Sequence, residues 1–275
     1  MMQIKLAHSP DSDDAFMFYA LAKEKIDTGD LHFTHVLEPI EVLNQKALDC
    51  VYDVTALSFH AYAYLADKYL LLSSGASMGE RYGPIVVARR PDYDFRGKIA
   101  VPGTLTTAFL MLKLFCPKFD YEVVRFDQII GEVARGNFDA GLIIHEGQLT
   151  YATAGLYKVV DLGQWWYERT LMPLPLGGNA VRSSLPSKVV AQIDRLLRQS
   201  IRYALEHKAE ALDYALQFAR DMDRQLANSF VSMYVNQRTL DYGEQGKLAV
   251  RLLLEEGRKA GIIPHKVDVR FIDEM

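Results

Sequence analysis

The sequence predicts an α/β protein of two lobes with a ligand cleft between them, on three observations. Short apolar runs alternate with helical patterns through the first part of the chain. The same alternation restarts after the polar, proline-bearing segment Arg89-Arg90-Pro91-Asp92, and the chain turns wholly helical from about Pro186 to Gly261. With 275 residues, 49% of them hydrophobic and 24% charged, the chain is long and apolar enough to fill two cores.

In the first series, Ile4–His8 reads as a strand, followed by a helix from about Asp13 to Lys25, a strand at Leu31–Leu37, a helix over Ile40–Leu48 and a strand at Val51–Ser58. The second series repeats this as Lys98–Pro102, a helix from about Thr106 to Phe115, Tyr121–Phe126, a helix over Gln128–Arg135 and Ala140–Ile144. Such alternation is the signature of βαβ units in a mostly parallel sheet. The two series also match in detail, because each ends a helix, turns through an aromatic-Asp pair (Tyr52-Asp53 or Phe138-Asp139) and enters an apolar strand, as a duplicated unit would. After a return through Leu174-Pro175-Leu176-Gly177-Gly178, one apolar helix face is marked by Val189, Ile193, Leu196, Leu197 and Ile201 and another by Leu248, Leu252 and Leu253. These helices are expected on the outside of the first lobe. The division is residues 1–90 and 175–275 against 91–174, with the two crossings forming a hinge, and Lys266–Ile272 is too short for periodicity to decide whether it adds a strand.

Composition narrows the function. A formal net charge of −4, with charges interspersed and no lysine or arginine block, gives no surface for nucleic acid or an anionic membrane, so the expected partner is a small molecule. No apolar stretch approaches the roughly 18 residues of a membrane span, and Met1–His8 has no signal-like apolar region, which predicts a cytoplasmic protein. Cys50 and Cys116 stand apart from any metal-ligand or C-x-x-C spacing and read as free thiols; no metal site is expected. Nothing in the sequence speaks to oligomeric state.

Ligands of open α/β sheets sit beyond the carboxyl ends of strands, and there the chain carries chemistry. His145 follows the apolar run Ala140–Ile144, where a titratable ring faces either a cleft or a satisfied rim. Ser58 ends the equivalent strand of the first series, so the two residues would face each other across a cleft. Ser9-Pro10-Asp11-Ser12-Asp13-Asp14 follows the first strand; its oxygens suit hydroxyl binding, with Ser9 and Asp11 as candidates, while Ser12 or Asp13 equally suits a helix cap. Gly103-Thr104-Leu105-Thr106-Thr107-Ala108 offers free N–H groups and hydroxyls for a small organic anion, or a plain cap at Thr104 or Thr106. It is no nucleotide loop, lacking the G-K-[ST] ending and G-x-G-x-x-G. Two segments rich in glycine, proline and aromatics, Gly75–Pro84 and Gln164–Pro175, read as loops; Arg81 and Arg169 are the cations they could offer a ligand, or pair with a nearby acid such as Glu168.

Taken together, Ser9–Phe16, the strand end at Ser58, Gly103–Ala108, Leu142–Glu146 and Val160-Asp161-Leu162-Gly163-Gln164-Trp165-Trp166 resemble the 1,4-dihydroxy-6-naphthoate synthases of the futalosine route to menaquinone. The resemblance runs nearly end to end. It implies a two-lobed type II periplasmic-binding-protein-like fold, in the cytoplasm, and a lyase that converts cyclic dehypoxanthine futalosine, a small carboxylate, to 1,4-dihydroxy-6-naphthoate and a three-carbon fragment without metal or organic cofactor. It further implies His145 as proton acceptor and substrate contacts at Thr55, Ala56 and Leu57 and at Thr107 and Ala108. Many relatives carry Ser-Pro-x-Pro-Asn-Asp-Thr-Phe where this chain has Ser12, Asp13 and Ala15, so the extra carboxylate bears on which substrate fits. Two other readings use the same fold: a non-catalytic binding protein for a small organic anion, and the sister enzyme that dehydrates chorismate.

Overall fold

A computed structural model of the chain describes residues 1–219 and 222–275. It opens with β1 (Met2–His8), α1 (Ser12–Ala22), β2 (Leu31–Leu37), α2 (Ile40–Ala47), β3 (Val54–Ser58), α3 (Phe59–Tyr62), β4 (Tyr69–Leu71) and β5 (Ser77–Gly79). There follow β6 (Ile85–Ala88), β7 (Lys98–Val101), α4 (Thr107–Phe115), β8 (Asp120–Val123), α5 (Ile129–Arg135), β9 (Ala140–Ile143), α6 (Gly147–Thr150), β10 (Tyr157–Asp161) and α7 (Leu162–Thr170). The long strand β11 (Leu174–Arg182) leads into α8 (Ser187–Glu206), α9 (Lys208–Ala215), α10 (Arg224–Tyr234), α11 (Gln237–Leu240) and α12 (Gly243–Lys259).

Two sheets result. The first runs β2-β1-β3-β11-β4 with β5 also on β11, and the second β10-β6-β9-β7-β8. Parallel pairing links β1 to β2 and β3, and β7 to β8 and β9, as the βαβ pattern requires, whereas β11 and β6 run antiparallel to their neighbours and make both sheets mixed. Since β6 lies in the second sheet, the chain crosses at residues 80–84, ahead of the crossing expected at Pro91.

The aromatic-Asp pair explains why the two series look alike. Asp53 accepts a hydrogen bond from the Lys5 N–H through its carboxylate (2.8 Å) and donates its own N–H to the Lys5 carbonyl (3.0 Å). Asp139 makes both bonds to Lys98 at the same lengths. Each pair thus clamps the strand pair of its sheet into register, so that Ser58 and Ile144 end up at equivalent ends of β3 and β9.

The helical region packs as expected, with α8, α9 and α10 lying against α1. On α8 the buried stripe is Val190, Ile193, Leu196, Leu197, Ile201 and Ala204, while Val189 stays at its edge. On α12 Leu253 is buried as expected, with Ala249, Val250 and Leu254, and Leu252 packs at the edge of the core, but Leu248 is 57% exposed. This helix reaches α3, α4 and β11, and one apolar core accordingly runs from Leu57 and Ala180 of the first sheet to Val86, Val101 and Leu142 of the second. Gln164–Pro175 is no loop, because Asp161 accepts from the Gly163 and Gln164 N–H groups (3.0 and 3.1 Å) and starts α7. The carboxyl-terminal segment contributes one bridge, Phe271 beside Leu71.

Candidate active site

A cavity opens where both sheets present strand ends, with about 730 Å³ of space that includes some open solvent. Ser9, Asp13 and Asp14 enter from the start of α1, and Ala56, Leu57 and Ser58 from the end of β3. From the second sheet come Thr106, Thr107 and Ala108 at the start of α4, and Ile144, His145 and Gln148 after β9; Phe230 and Tyr234 of α10 close one end. No lysine or arginine lines it among the described residues.

His145 has a left-handed backbone (φ 54°), a conformation a non-glycine side chain adopts at a cost, and it turns the ring out of the line of β9. The side chain is 17% exposed, and its Nδ1 lies 3.2 Å from Oδ2 of Asp11, which follows β1 of the other sheet. The edge of Phe126 packs on the ring at 5.0 Å between centroids. The other nitrogen, Nε2, is buried without a hydrogen-bond partner among the described residues, and His145 lines the cavity. A carboxylate beside one ring nitrogen favours the proton there and leaves the second nitrogen as the one that can accept a proton.

The facing wall supplies donors. The Ser58 N–H donates to Oδ1 of Asn44 (3.0 Å) and the Asn44 amide donates back to the Ser58 Oγ (3.1 Å), so the Ser58 hydroxyl hydrogen is left to point elsewhere. Replacing the fully buried Asn44 by alanine is expected to cost about 1–3 kcal/mol of stability and to weaken ligand binding, measured by denaturant unfolding and calorimetry. Thr107 accepts from the His60 N–H (3.3 Å) and keeps its own hydroxyl hydrogen, and the first-turn N–H groups of Thr107 and Ala108 have no acceptor within α4. Thr106 is the cap of that helix: it accepts from the Phe109 N–H (3.1 Å) and donates to the Gly103 carbonyl (2.8 Å), so it lines the cavity with its hydroxyl already committed.

The acidic residues at α1 divide the work. Asp14 accepts from both the N–H and the hydroxyl of Ser9 (2.7 and 2.8 Å), yet burial still pushes its carboxyl up to about 6. Asp13, buried and flanked by Asp14 and Asp11, is raised well above the carboxylate range, first by desolvation and then by those two like charges. Neither Ser12 nor Asp13 caps the helix, whose first position carries no side-chain cap. A group whose pKa rises on folding supports the fold at low pH and loses that support as pH climbs through its folded value. Asp13→Asn is therefore expected to gain stability over the parent between about pH 5 and about pH 8; denaturation midpoints at both values check this, and a constant difference would contradict it.

Some expected contacts fall elsewhere. Thr55 is fully buried, with its hydroxyl on the Ala56 carbonyl (3.0 Å), and does not line the cavity; Asp11 also stays behind the lining, in contact with His145. Arg81 stacks on Tyr167 and donates to its hydroxyl (2.9 Å), Arg169 faces Glu256 at 3.6 Å, and the Trp166 indole donates to the Pro173 carbonyl (3.2 Å). These side chains are spent on the fold, away from the cavity. Asn44, Gln148, Phe230 and Tyr234, by contrast, escaped the sequence reading; only Gln148, three residues past His145, carried a local signal. Both cysteines are free, and among the described residues no group of three or more His, Cys, Asp or Glu side chains is arranged to hold a metal.

Two mixed sheets with a cleft at their strand ends define the periplasmic-binding-protein-like class. The Xanthomonas axonopodis pv. citri alkanesulfonate-binding protein bound to MOPS shares this fold, with a TM-score of 0.71 at 10% identity over 96% of this chain and 95% of that one. A crystal structure of an Archaeoglobus fulgidus protein is far nearer, with a TM-score of 0.92 and 48% identity covering 94% of this chain and 98% of that one. The chain belongs to the menaquinone biosynthesis family, whose model matches residues 4–259. Two relatives named 1,4-dihydroxy-6-naphtoate synthase agree: that of Thermus thermophilus is 42% identical over 95% of this chain and 96% of its own, and that of Streptomyces coelicolor 33% identical over 95% of each. No helix among the described residues is long and apolar enough to cross a membrane.

Proposed function

We propose that this chain converts cyclic dehypoxanthine futalosine to 1,4-dihydroxy-6-naphthoate as a carbon-carbon lyase, with His145 as the proton acceptor. The observation that supports the reading is the His145 ring, which lines the cavity with Nδ1 3.2 Å from Asp11 Oδ2 and with Nε2 unpartnered among the described residues. In this reading Nε2 takes a proton from the substrate, and the negative charge that builds on a substrate oxygen meets the donors of the opposite wall: the Ser58 and Thr107 hydroxyls and the first-turn N–H groups of α4. Those donors are in place before reaction and need no reorganisation. The substrate carboxylate would be held by dipoles and hydroxyls, since the lining has no cation. Ser9, Ala56, Leu57 and Ala108 shape the pocket around the substrate, and no metal or organic cofactor is assigned to it.

The test is to incubate the purified protein with cyclic dehypoxanthine futalosine and, separately, with chorismate, and to follow products by chromatography and mass spectrometry. Formation of 1,4-dihydroxy-6-naphthoate supports the reading. Turnover of chorismate alone would replace it with the dehydratase, and tight binding with no product from either would leave a binding protein.

A further inference from the structure

Asp13 lines the same cavity and the proposed proton transfer makes no use of it. Its side chain belongs to a residue only 7% exposed, and Oδ1 is buried without a hydrogen-bond partner among the described residues. An ionised carboxylate there would be a buried charge with no cation in the lining to compensate it. Among the described residues the Asp13 carboxyl meets only backbone N–H groups, its own and that of Asp14, whereas its neighbours on the segment have side-chain or further partners. Asp14 holds two donors from Ser9, and Asp11 faces His145. Across the cavity the Tyr234 hydroxyl donates to Gln148 Oε1 (3.0 Å), so that acceptor is already engaged.

We propose that Asp13 acts as a neutral carboxylic acid that donates a hydrogen bond to an oxygen of the bound substrate, which makes it a specificity-determining residue of this cavity. The inference deepens the proposed function and rests on it for the identity of the ligand. It also lessens a difficulty in that reading, because a carboxylate substrate entering past two ionised groups, Asp13 and Asp14, would meet more repulsion at short range than past Asp14 alone. A protonated Asp13 turns the same position into a donor, and an O–H donor facing an anionic oxygen makes one of the stronger hydrogen bonds available.

The groups that set its protonation surround it. Asp11 and Asp14 lie on its own segment, and His145, with Glu146 beside it, and Tyr234 lie across the cavity. On β1, His8 is held near 4 by burial and adds no positive charge at neutral pH, with His35 of β2 beside it in the same condition. From α8 and α9, Tyr203 and Glu210 reach only the far end of α1, around Tyr19.

The test combines infrared spectroscopy with kinetics on the full chain, using 1,4-dihydroxy-6-naphthoate as the probe ligand. At about pH 8 Asp14 has ionised, so a protonated-carboxyl band that persists there in the free protein and vanishes in Asp13→Asn belongs to Asp13. Addition of the probe is expected to move that band to lower frequency. Asp13→Asn, which keeps shape and a donor, should retain probe affinity within about 5-fold, whereas Asp13→Ala should lose about 10–100-fold. Absence of the band at about pH 8 would overturn the proposal, and so would a band unmoved by the probe. Should Asp13→Ala not fold, the band shift and the Asp13→Asn affinity still decide it. Failure of the wild type to form product would count against the proposed function alone, because the band in the free protein reports on Asp13 without any turnover.

Discussion

His145→Ala is expected to lose turnover by about 10²–10⁴-fold, the usual worth of a positioned acid or base, while 1,4-dihydroxy-6-naphthoate binds within a few-fold of wild type. The separation follows from the geometry. His145 contributes one nitrogen to a cavity whose other contacts, at Ser58, Thr107 and the first turn of α4, come from elements that do not depend on it. Steady-state kinetics and calorimetry on the same preparation check both halves, and a parallel fall in affinity and rate would reassign His145 to binding. Asp11→Asn extends the test. It keeps the shape beside Nδ1 but removes the charge that would stabilise a proton taken up by the ring in the transition state, so kcat should fall by about 10-fold or more. Its effect on probe affinity should be small, because Asp11 does not line the cavity.

Gly163→Ala should cost about 3–5 kcal/mol of stability and disturb the cavity from a distance. A Cβ at Gly163 would sit 2.0 Å from the carbonyl carbon and oxygen of Tyr82 and 2.4 Å from the Gly83 nitrogen, all of them backbone atoms that no rotamer change can clear. On the other side, a Cβ at Gly79 would lie 1.8 Å from the Tyr82 oxygen. The crossing at residues 80–84 is therefore clamped between two glycines, and the Leu162 N–H donates to the Pro84 carbonyl (2.9 Å) to complete the clamp. The Tyr82 hydroxyl also donates to the Met233 carbonyl, tying this crossing to the end of α10. Pro84 lines the cavity, as does Tyr234 next to Met233, so displacement of the crossing should raise KM as well as lower the denaturation midpoint. A midpoint and KM equal to wild type would show that the clamp yields.

What could be seen in the sequence follows from how local each signal is. The elements β1 to β3 and β7 to β9 announce themselves because strand and crossover helix lie next to each other in the chain, and the aromatic-Asp pair at Asp53 and Asp139 repeats because each makes the same short-range clamp. His145 and Ser58 were legible for the same reason, as residues that end such strands. Strands β5, β6 and β10 are three to five residues long and antiparallel to partners far away in sequence, and that pairing leaves no periodic trace. Helix α7 was hidden by Gly163 and its cluster of aromatics, which suit a helix poorly until the Asp161 cap and the Trp166 burial are known. Asn44 and Tyr234 reach the site from α2 and α10, and Arg81 and Arg169 leave it for Tyr167 and Glu256; each outcome is a tertiary contact invisible in local spacing.

The most direct test of His145 as the base of this cavity is a crystal structure of His145→Ala grown with cyclic dehypoxanthine futalosine. The expected result is intact substrate in the cavity, its carboxylate or ring oxygens on the Ser58 and Thr107 wall and its reacting carbon facing the space from which the imidazole was removed. Substrate seated outside the cavity, or product in its place, would contradict the assignment.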